Sequence, residues 1–249
     1  MEVVTTPDQH ALSFGAAAGA YDRARPPYPD EVVDWLLEGV DGPVVDVGAG
    51  TGKLTAALAA RRDGVIAVEP DDGMRAVLAA QLPSVDSRPG SAEDLPLDDG
   101  SAGLVTMAQA WHWVDVPRAS AEVGRVVRRP GRLGLVWNYR SDADEWVTRL
   151  GEALAGADSA GQMDKIRAHG PTVVGPFDAY ERLVVAWDHV IDVETLVALA
   201  ASRSYVIVMP QHEREQVLSG VRELGEERAD ADGSLRLPYE TYAFRFDLP

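Results

Sequence analysis

The residues best suited to chemistry begin at Gly48-Ala49-Gly50-Thr51-Gly52, where three glycines alternate just after the acid Asp46. Backbone without Cβ atoms can approach a ligand closely, so the turn is a candidate cradle for a nucleotide-like molecule. A phosphate-cradling P-loop needs Gly five positions before Gly52 and Ser or Thr after Lys53, but Val47 and Leu54 stand there and that reading fails. A dinucleotide turn needs Gly three positions after Gly50, where Lys53 stands, and Asp46 would meet a pyrophosphate with like charge. This weakens a nicotinamide reading without removing it. An acid at the end of a strand suits instead a ligand that presents a cation to the turn.

A second cluster is Trp111-His112-Trp113. His112 is the candidate general base, provided that it reaches the proton it would remove, and the alternative is a structural histidine. Trp111, Trp113 and Trp137 are candidate aromatic walls of a small-molecule pocket, or core. Asn138 could orient a bound acceptor or start a turn. His10, His169, His189 and His212 show no metal-ligand spacing, and no metal is implied.

Short apolar runs alternate with amphipathic segments through the first two-thirds of the chain, as in βαβ units with a mostly parallel sheet. Strands are predicted at residues 43–47, 64–68, 85–88, 102–108 and 131–137, with helices at 53–62, 71–81 and 117–128. The turn Arg129-Pro130-Gly131 separates the last helix from the fifth strand. Further along, helices are predicted at 142–155, 193–201 and 212–227, and a strand at 183–190. Tyr239 to Phe246 alternates aromatic and polar residues and could close the sheet as an antiparallel edge. The Arg125 to Arg129 cluster reads as the cationic end of a helix. Ligands of doubly wound sheets collect at the carboxyl ends of strands, where the glycine turn, His112 and Asn138 all fall.

Val44 to Thr55 resembles the first motif of the class I S-adenosylmethionine-dependent methyltransferases, and three further segments follow in register. The resemblance implies that Asp46, Gly48, Ala49, Gly50 and Gly52 hold the cofactor. Glu69, followed by Pro70, would accept both ribose hydroxyls, since a carboxylate only accepts. Met74 would pack near adenine; Ser91, Ala92 and Glu93 would edge it; Ala108 and Gln109 would stand where cofactor and acceptor meet. Phe14-Gly15 and Tyr21 to Pro29 resemble the opening of the small-molecule subgroup similar to trans-aconitate methyltransferase. There Tyr21 and Arg25 would fold over the methionine end, Arg25 gripping its carboxylate through a planar fork. Tyr28 would lie on the acceptor side with Trp111, Trp113, Trp137 and Asn138.

The implied fold is α/β, a Rossmann-like doubly wound sheet of seven strands with an antiparallel last strand. One domain is expected over 1–249, with a lid and helix at 1–40, the cofactor core at 41–140, and an acceptor cap and sheet completion at 141–249. The implied activity is methyl transfer from S-adenosylmethionine to a small-molecule oxygen (carboxylate or hydroxyl) or nitrogen, leaving S-adenosylhomocysteine. A nicotinamide-dependent oxidoreductase and a non-catalytic S-adenosylmethionine-binding module are the alternatives.

Composition bounds the rest. The chain of 249 residues is 46% hydrophobic and 25% charged, ordinary globular proportions. Forty acids against 23 basic residues give a net charge of -17, which repels nucleic-acid backbones and anionic lipid, so neither is an expected partner. With no cysteine, disulfides and thiolate chemistry are excluded. No apolar stretch approaches the roughly 20 residues of a membrane span, and no signal peptide opens the sequence, so a cytoplasmic protein is expected, as monomer or homodimer. Lys53 and Lys165 are the sole lysines, a bias of GC-rich genomes that suggests a bacterial source and makes a specialised-metabolite acceptor plausible.

Overall fold

The computed structural model describes residues 25–141, 143–154 and 160–249. The opening segment up to residue 24, with Phe14, Gly15 and Tyr21, lies outside the described residues, as does Asp142.

Helix α1 (Asp30–Leu37) comes first, its acidic first turn placed at the positive end of the helix dipole and its Val32, Val33 and Leu36 buried. Then β1 (Val44–Val47), α2 (Lys53–Ala59), β2 (Ile66–Val68), α3 (Asp72–Gln81), β3 (Asp86–Arg88) and β4 (Ala102–Ala108) alternate as the sequence predicts. β1 is buried along its whole length, and β4 along all but its last residue, as strands covered on both faces must be. A single turn of 3-10 helix (Trp111–Trp113) leads to α4 (Val116–Val126), whose N-cap Asp115 accepts from the Arg118 N–H.

Next come β5 (Val127–Arg140), α5 (Glu145–Ala153), α6 (Ala160–His169), β6 (Glu181–Asp192), α7 (Val193–Ala201), α8 (Ser204–Ile207), α9 (Gln211–Arg228) and β7 (Ser234–Leu248). The strands form one seven-stranded sheet in the order β3-β2-β1-β4-β5-β7-β6. β1 to β5 pair in parallel, while β7 runs antiparallel to both β5 and β6. The last strand is therefore antiparallel as expected, but it is not an edge. It lies inside the sheet, and β6 takes the edge beyond it.

Two other expectations change. Strand β5 starts directly where α4 ends, so Arg129 to Gly131 belong to a long strand rather than to a separating turn. Helix α6 carries no periodic apolar face that would have announced it. Among the described residues, no helix is long and apolar enough to cross a membrane.

Candidate active site

The glycine turn leaves the carboxyl end of β1 and is held over the end of β2, where the N–H groups of Gly48 and Ala49 donate to the Val68 carbonyl at 2.8 and 3.2 Å. Gly48 has φ +64°, and a Cβ there would stand 2.8 Å from the Ala110 Cβ. Gly52 caps α2 with φ +95°, and its Cβ would meet Leu78 Cγ at 3.0 Å. Both positions require glycine for conformation and space together.

Asp46 is buried to 1% exposure inside β1. Its Oδ2 accepts from the Thr55 hydroxyl at 2.6 Å and its Oδ1 from the Thr106 hydroxyl at 3.0 Å, which ties α2 and β4 to β1. Burial raises its carboxyl from 3.8 to about 6, against the pull of the two hydroxyls and helped by the nearby Glu69 charge. The fold thus maintains a costly acid beside the turn.

Glu69, 5% exposed, ends β2. Its Oε2 accepts from the Gly50 N–H at 2.8 Å and its Oε1 from the Asp71 N–H at 2.9 Å. Burial pushes its carboxyl above the ordinary value, and those two N–H groups oppose the shift. One acid therefore shapes the glycine turn and the start of α3 while keeping acceptor lone pairs on both oxygens. Asp71 caps α3 by accepting from the Met74 N–H at 2.8 Å. That sets buried Met74 against the turn, its sulfur 3.8 Å from where a Gly50 Cβ would be.

The loop after β3 is folded by an isolated bridge between Ser91 and Asp94, with Ala92 buried. Glu93 accepts from the Asp115 N–H at 2.9 Å, and Glu122 accepts from the Leu95 N–H at 2.9 Å. Arg125, in the last turn of α4, pairs with Glu122 and Asp99 and donates to the Leu97 carbonyl. The cationic helix end read from the sequence thus clamps the loop that carries Ala92 and Glu93.

A cleft of about 420 Å³ opens at the carboxyl ends of β1, β4 and β5. Asp46, Gly48, Ala49, Gly50, Ala108 and Gln109 line it, with Arg25 and Tyr28 from the entering segment and Asn138 from β5. Gln109 holds φ +56°. That left-handed conformation is uncommon for a side-chain-bearing residue. It is pinned by its N–H donating to Val136 O at 2.8 Å and its side-chain amide donating to Asn138 O at 2.9 Å. Gly52, Glu69, Pro70, Met74, Ser91, Ala92 and Glu93 do not line this cleft; Gly52 caps α2, and the others lie after the adjoining ends of β2 and β3.

The aromatic expectations are corrected. The 3-10 turn rotates successive residues apart, so Trp111 is buried with its indole N–H donating to Thr172 O at 2.9 Å, while Trp113 is 43% exposed. Trp137 is fully buried and its indole N–H donates to His112 Nδ1 at 3.4 Å. His112 does not line the cleft, and burial lowers its imidazole to about 4, so it is neutral and held by core packing. Asn138 lines the cleft but is already occupied: its amide donates to Pro27 O at 2.9 Å and its Oδ1 accepts from the Thr241 hydroxyl at 2.6 Å. It fastens the entering segment and β7 to β5.

Residues without any signal in the sequence complete the cleft. They include Arg140, which follows Tyr139 at the end of β5, Asp164 and Arg167 on α6, Arg203 after α7, and Tyr239 on β7. They come from four distant parts of the chain, with no motif linking them.

Comparison with known proteins bears directly on this arrangement. A family model described as a methyltransferase domain matches residues 45–135, the stretch from β1 into β5. An uncharacterized methyltransferase of Mycobacterium tuberculosis is 46% identical over 241 residues, covering 96% of each chain. The chain belongs to the methyltransferase family. An uncharacterized methyltransferase-like protein of Schizosaccharomyces pombe is 31% identical over 249 residues, covering 93% of this methyltransferase and 94% of that protein. A solved chain from Anaeromyxobacter dehalogenans, assigned as a type II methyltransferase, shares the fold with TM-score 0.63 and 23% identity, covering 90% of this methyltransferase and 96% of that chain. S-adenosylmethionine is the methyl donor of the family, and its membership sets the oxidoreductase alternative aside. The cradle fits that cofactor. Its glycines leave room at the turn, a buried acid lies below, and Glu69 keeps acceptor capacity beside it.

Proposed function

We propose that this methyltransferase carries the methyl group of S-adenosylmethionine to a small-molecule acceptor bound in the cleft beside Gln109 and Tyr139. The observation that carries the reading is the extent of the cleft: a non-catalytic binding module would need the acceptor side blocked, whereas the cleft of about 420 Å³ runs on from the glycine turn past Gln109 to Tyr139 and Tyr239. In this reading Gly48, Ala49 and Gly50 cradle the cofactor, Glu69 accepts from its ribose hydroxyls, Met74 and the Ser91 to Glu93 loop face its base, and Arg25 grips its carboxylate. When bound, the cofactor supplies a methyl on positive sulfur, so the acceptor's lone pair can take the carbon while the C–S pair stays with sulfur.

The chain's own task is to hold the acceptor in line and to exclude water. Gln109 is fixed at the junction by two hydrogen bonds, and the Pro26 to Tyr28 segment is fixed over it through Asn138. His112 has no part in the transfer on this geometry. The net charge of -17 supports small acceptors over nucleic acid. A cytoplasmic, bacterial setting and an acceptor from specialised metabolism belong to the same proposal, resting on composition. The narrower likeness to the trans-aconitate subgroup rests on the opening segment.

Calorimetric titration with S-adenosylhomocysteine tests the site, with oxidised and reduced nicotinamide cofactors as controls. One-site saturable binding of the first alone is expected, followed by its release from S-adenosylmethionine when acceptor pools are added. Binding that is absent, or equally strong in Glu69→Ala, would overturn the site assignment.

A further inference from the structure

Strand β6 closes the sheet, and among the described residues its outer edge meets no other strand. It pairs with β7 through twelve consecutive residues in one unbroken register, so its free side is a continuous row of N–H and C=O groups that no strand takes. Proline, lysine and bulges, which commonly guard such an edge, are absent from it. Its two faces differ. The odd-numbered residues from Leu183 to Ile191 are half-buried or buried, while the even-numbered ones from Arg182 to Asp192 are exposed. Val184 is 40% and Val190 54% exposed, and Tyr180, on the same face just before the strand, is 36% exposed. This is an apolar surface with two charges set into it, Arg182 and Asp188.

The pattern on that face is self-complementary. A second copy extends the sheet if its β6 lies antiparallel beside this one about a two-fold axis normal to the sheet. Such an axis keeps each face continuous, so even residues meet even residues. With the axis at Val185, Arg182 stands opposite the second copy's Asp188, and Asp188 opposite its Arg182. Val184 then meets Ala186, and Val190 meets Tyr180. Each charge faces its opposite and each exposed apolar residue faces another. Neighbouring registers lose this match: an axis at Val184 sets Arg182 against Ala186, and one at Ala186 sets it against Val190. An axis at Trp187 sets it against Asp192, which already caps α7 by accepting from the Thr195 N–H at 2.7 Å.

Within one copy both charges are loosely held. Asp188 reaches Arg236 only at 3.7 Å, and Arg182 donates to the Arg167 carbonyl at 3.5 Å. Charges that merely guard an edge against pairing need no symmetry, whereas these stand three residues either side of Val185. We propose that this edge binds a second copy of the chain, β6 against β6 about Val185, joining two seven-stranded sheets into one continuous sheet. The interface goes beyond the methyl-transfer reading and stands without it.

The test is sedimentation velocity on the full chain from micromolar to millimolar concentration. It is run in about 0.15 M salt, where the repulsion between two copies of net charge -17 is screened beyond about 8 Å. A concentration-dependent dimer is expected. Arg182→Asp and Asp188→Arg should each raise its dissociation constant about thirtyfold or more, because two ion pairs become two like-charge pairs. Mixed in equal amounts, the two variants should recover the parent's dimer, since both junctions then carry opposite charges; a variant that had merely lost its fold would not be rescued. Independently, Val185→Cys in this chain without cysteine should give a covalent dimer with a short thiol cross-linker, and Val190→Cys, away from the axis, should not. A parent that stays monomeric, or a dimer indifferent to both charge reversals, overturns the proposal. So do folded variants that fail to recover on mixing, and where a reversal costs the fold, absence of the Val185→Cys link overturns it alone.

Discussion

Replacing Asp46 by Asn separates what the buried acid costs the fold from what it does for the ligand. In the native chain burial holds its carboxyl at about 6 against 3.8 when solvated. Between those values the folded chain keeps a proton that the unfolded chain has released. Stability therefore falls as pH rises through this window, and the full loss is present above it. A rise of roughly two in pKa, at about 1.36 kcal/mol for each, is worth about 3 kcal/mol. Asparagine cannot ionise, still accepts from one threonine hydroxyl and can donate to the other, so the variant lacks that slope. Urea unfolding of both proteins from about pH 4 to about pH 7 should show Asp46→Asn gaining about 3 kcal/mol on the parent across the range. The same substitution should weaken binding of the cationic cofactor, since it removes the negative charge below the turn. A stability difference that does not change with pH, or one that moves against the variant as pH rises, would refute the burial argument.

Other substitutions probe neighbouring parts. Glu69→Ala should weaken S-adenosylhomocysteine by roughly 100-fold, because two charge-assisted acceptor bonds go together, and Glu69→Gln should fall between it and the parent by calorimetry. Trp137 donates to His112, so His112→Ala removes its acceptor. Turnover should stay within about threefold while unfolding free energy drops by roughly 1–2 kcal/mol; a turnover loss of several hundredfold would restore the base role. Gly48→Ala puts a side chain on left-handed backbone and against Ala110. It should cost roughly 1–3 kcal/mol in denaturant unfolding, and an unchanged midpoint would contradict the left-handed turn.

The cofactor half was legible because its signals are local. β4 falls at residues 102–108, where a continuous apolar run predicts it, and α3 at 72–81 against the predicted 71–81, where helical spacing follows an acid at the cap. Asp46 was legible because it stands just before the glycine turn, and Glu69 because it ends the second predicted strand, where the family resemblance expects an acid. Periodicity was silent about neighbours. The alternation in β7 told which face is buried but not that β6 would lie beyond it, so an inner strand read as an edge. Nor could spacing tell which way Trp111 to Trp113 would point, because one tight turn sends the first into the core and the third into solvent. Arg140, Arg167 and Arg203 share no spacing, and the topology alone brings them together. Helix α6, which carries one of them, has a sequence, AGQMDKIRAH, with too few apolar residues to mark a face.

The place of β7 inside the sheet sets an order of events for a chain made from its N-terminus. β6 is synthesised well before β7, yet it joins the sheet through β7, with which it makes twelve register pairs. Without β7 the parallel half has an open border at β5, and β6 has no strand to pair with. The edge strand of the sheet thus depends wholly on the last strand of the chain: no pairing joins β6 to β5, so whatever removes β7 also detaches β6 from the sheet.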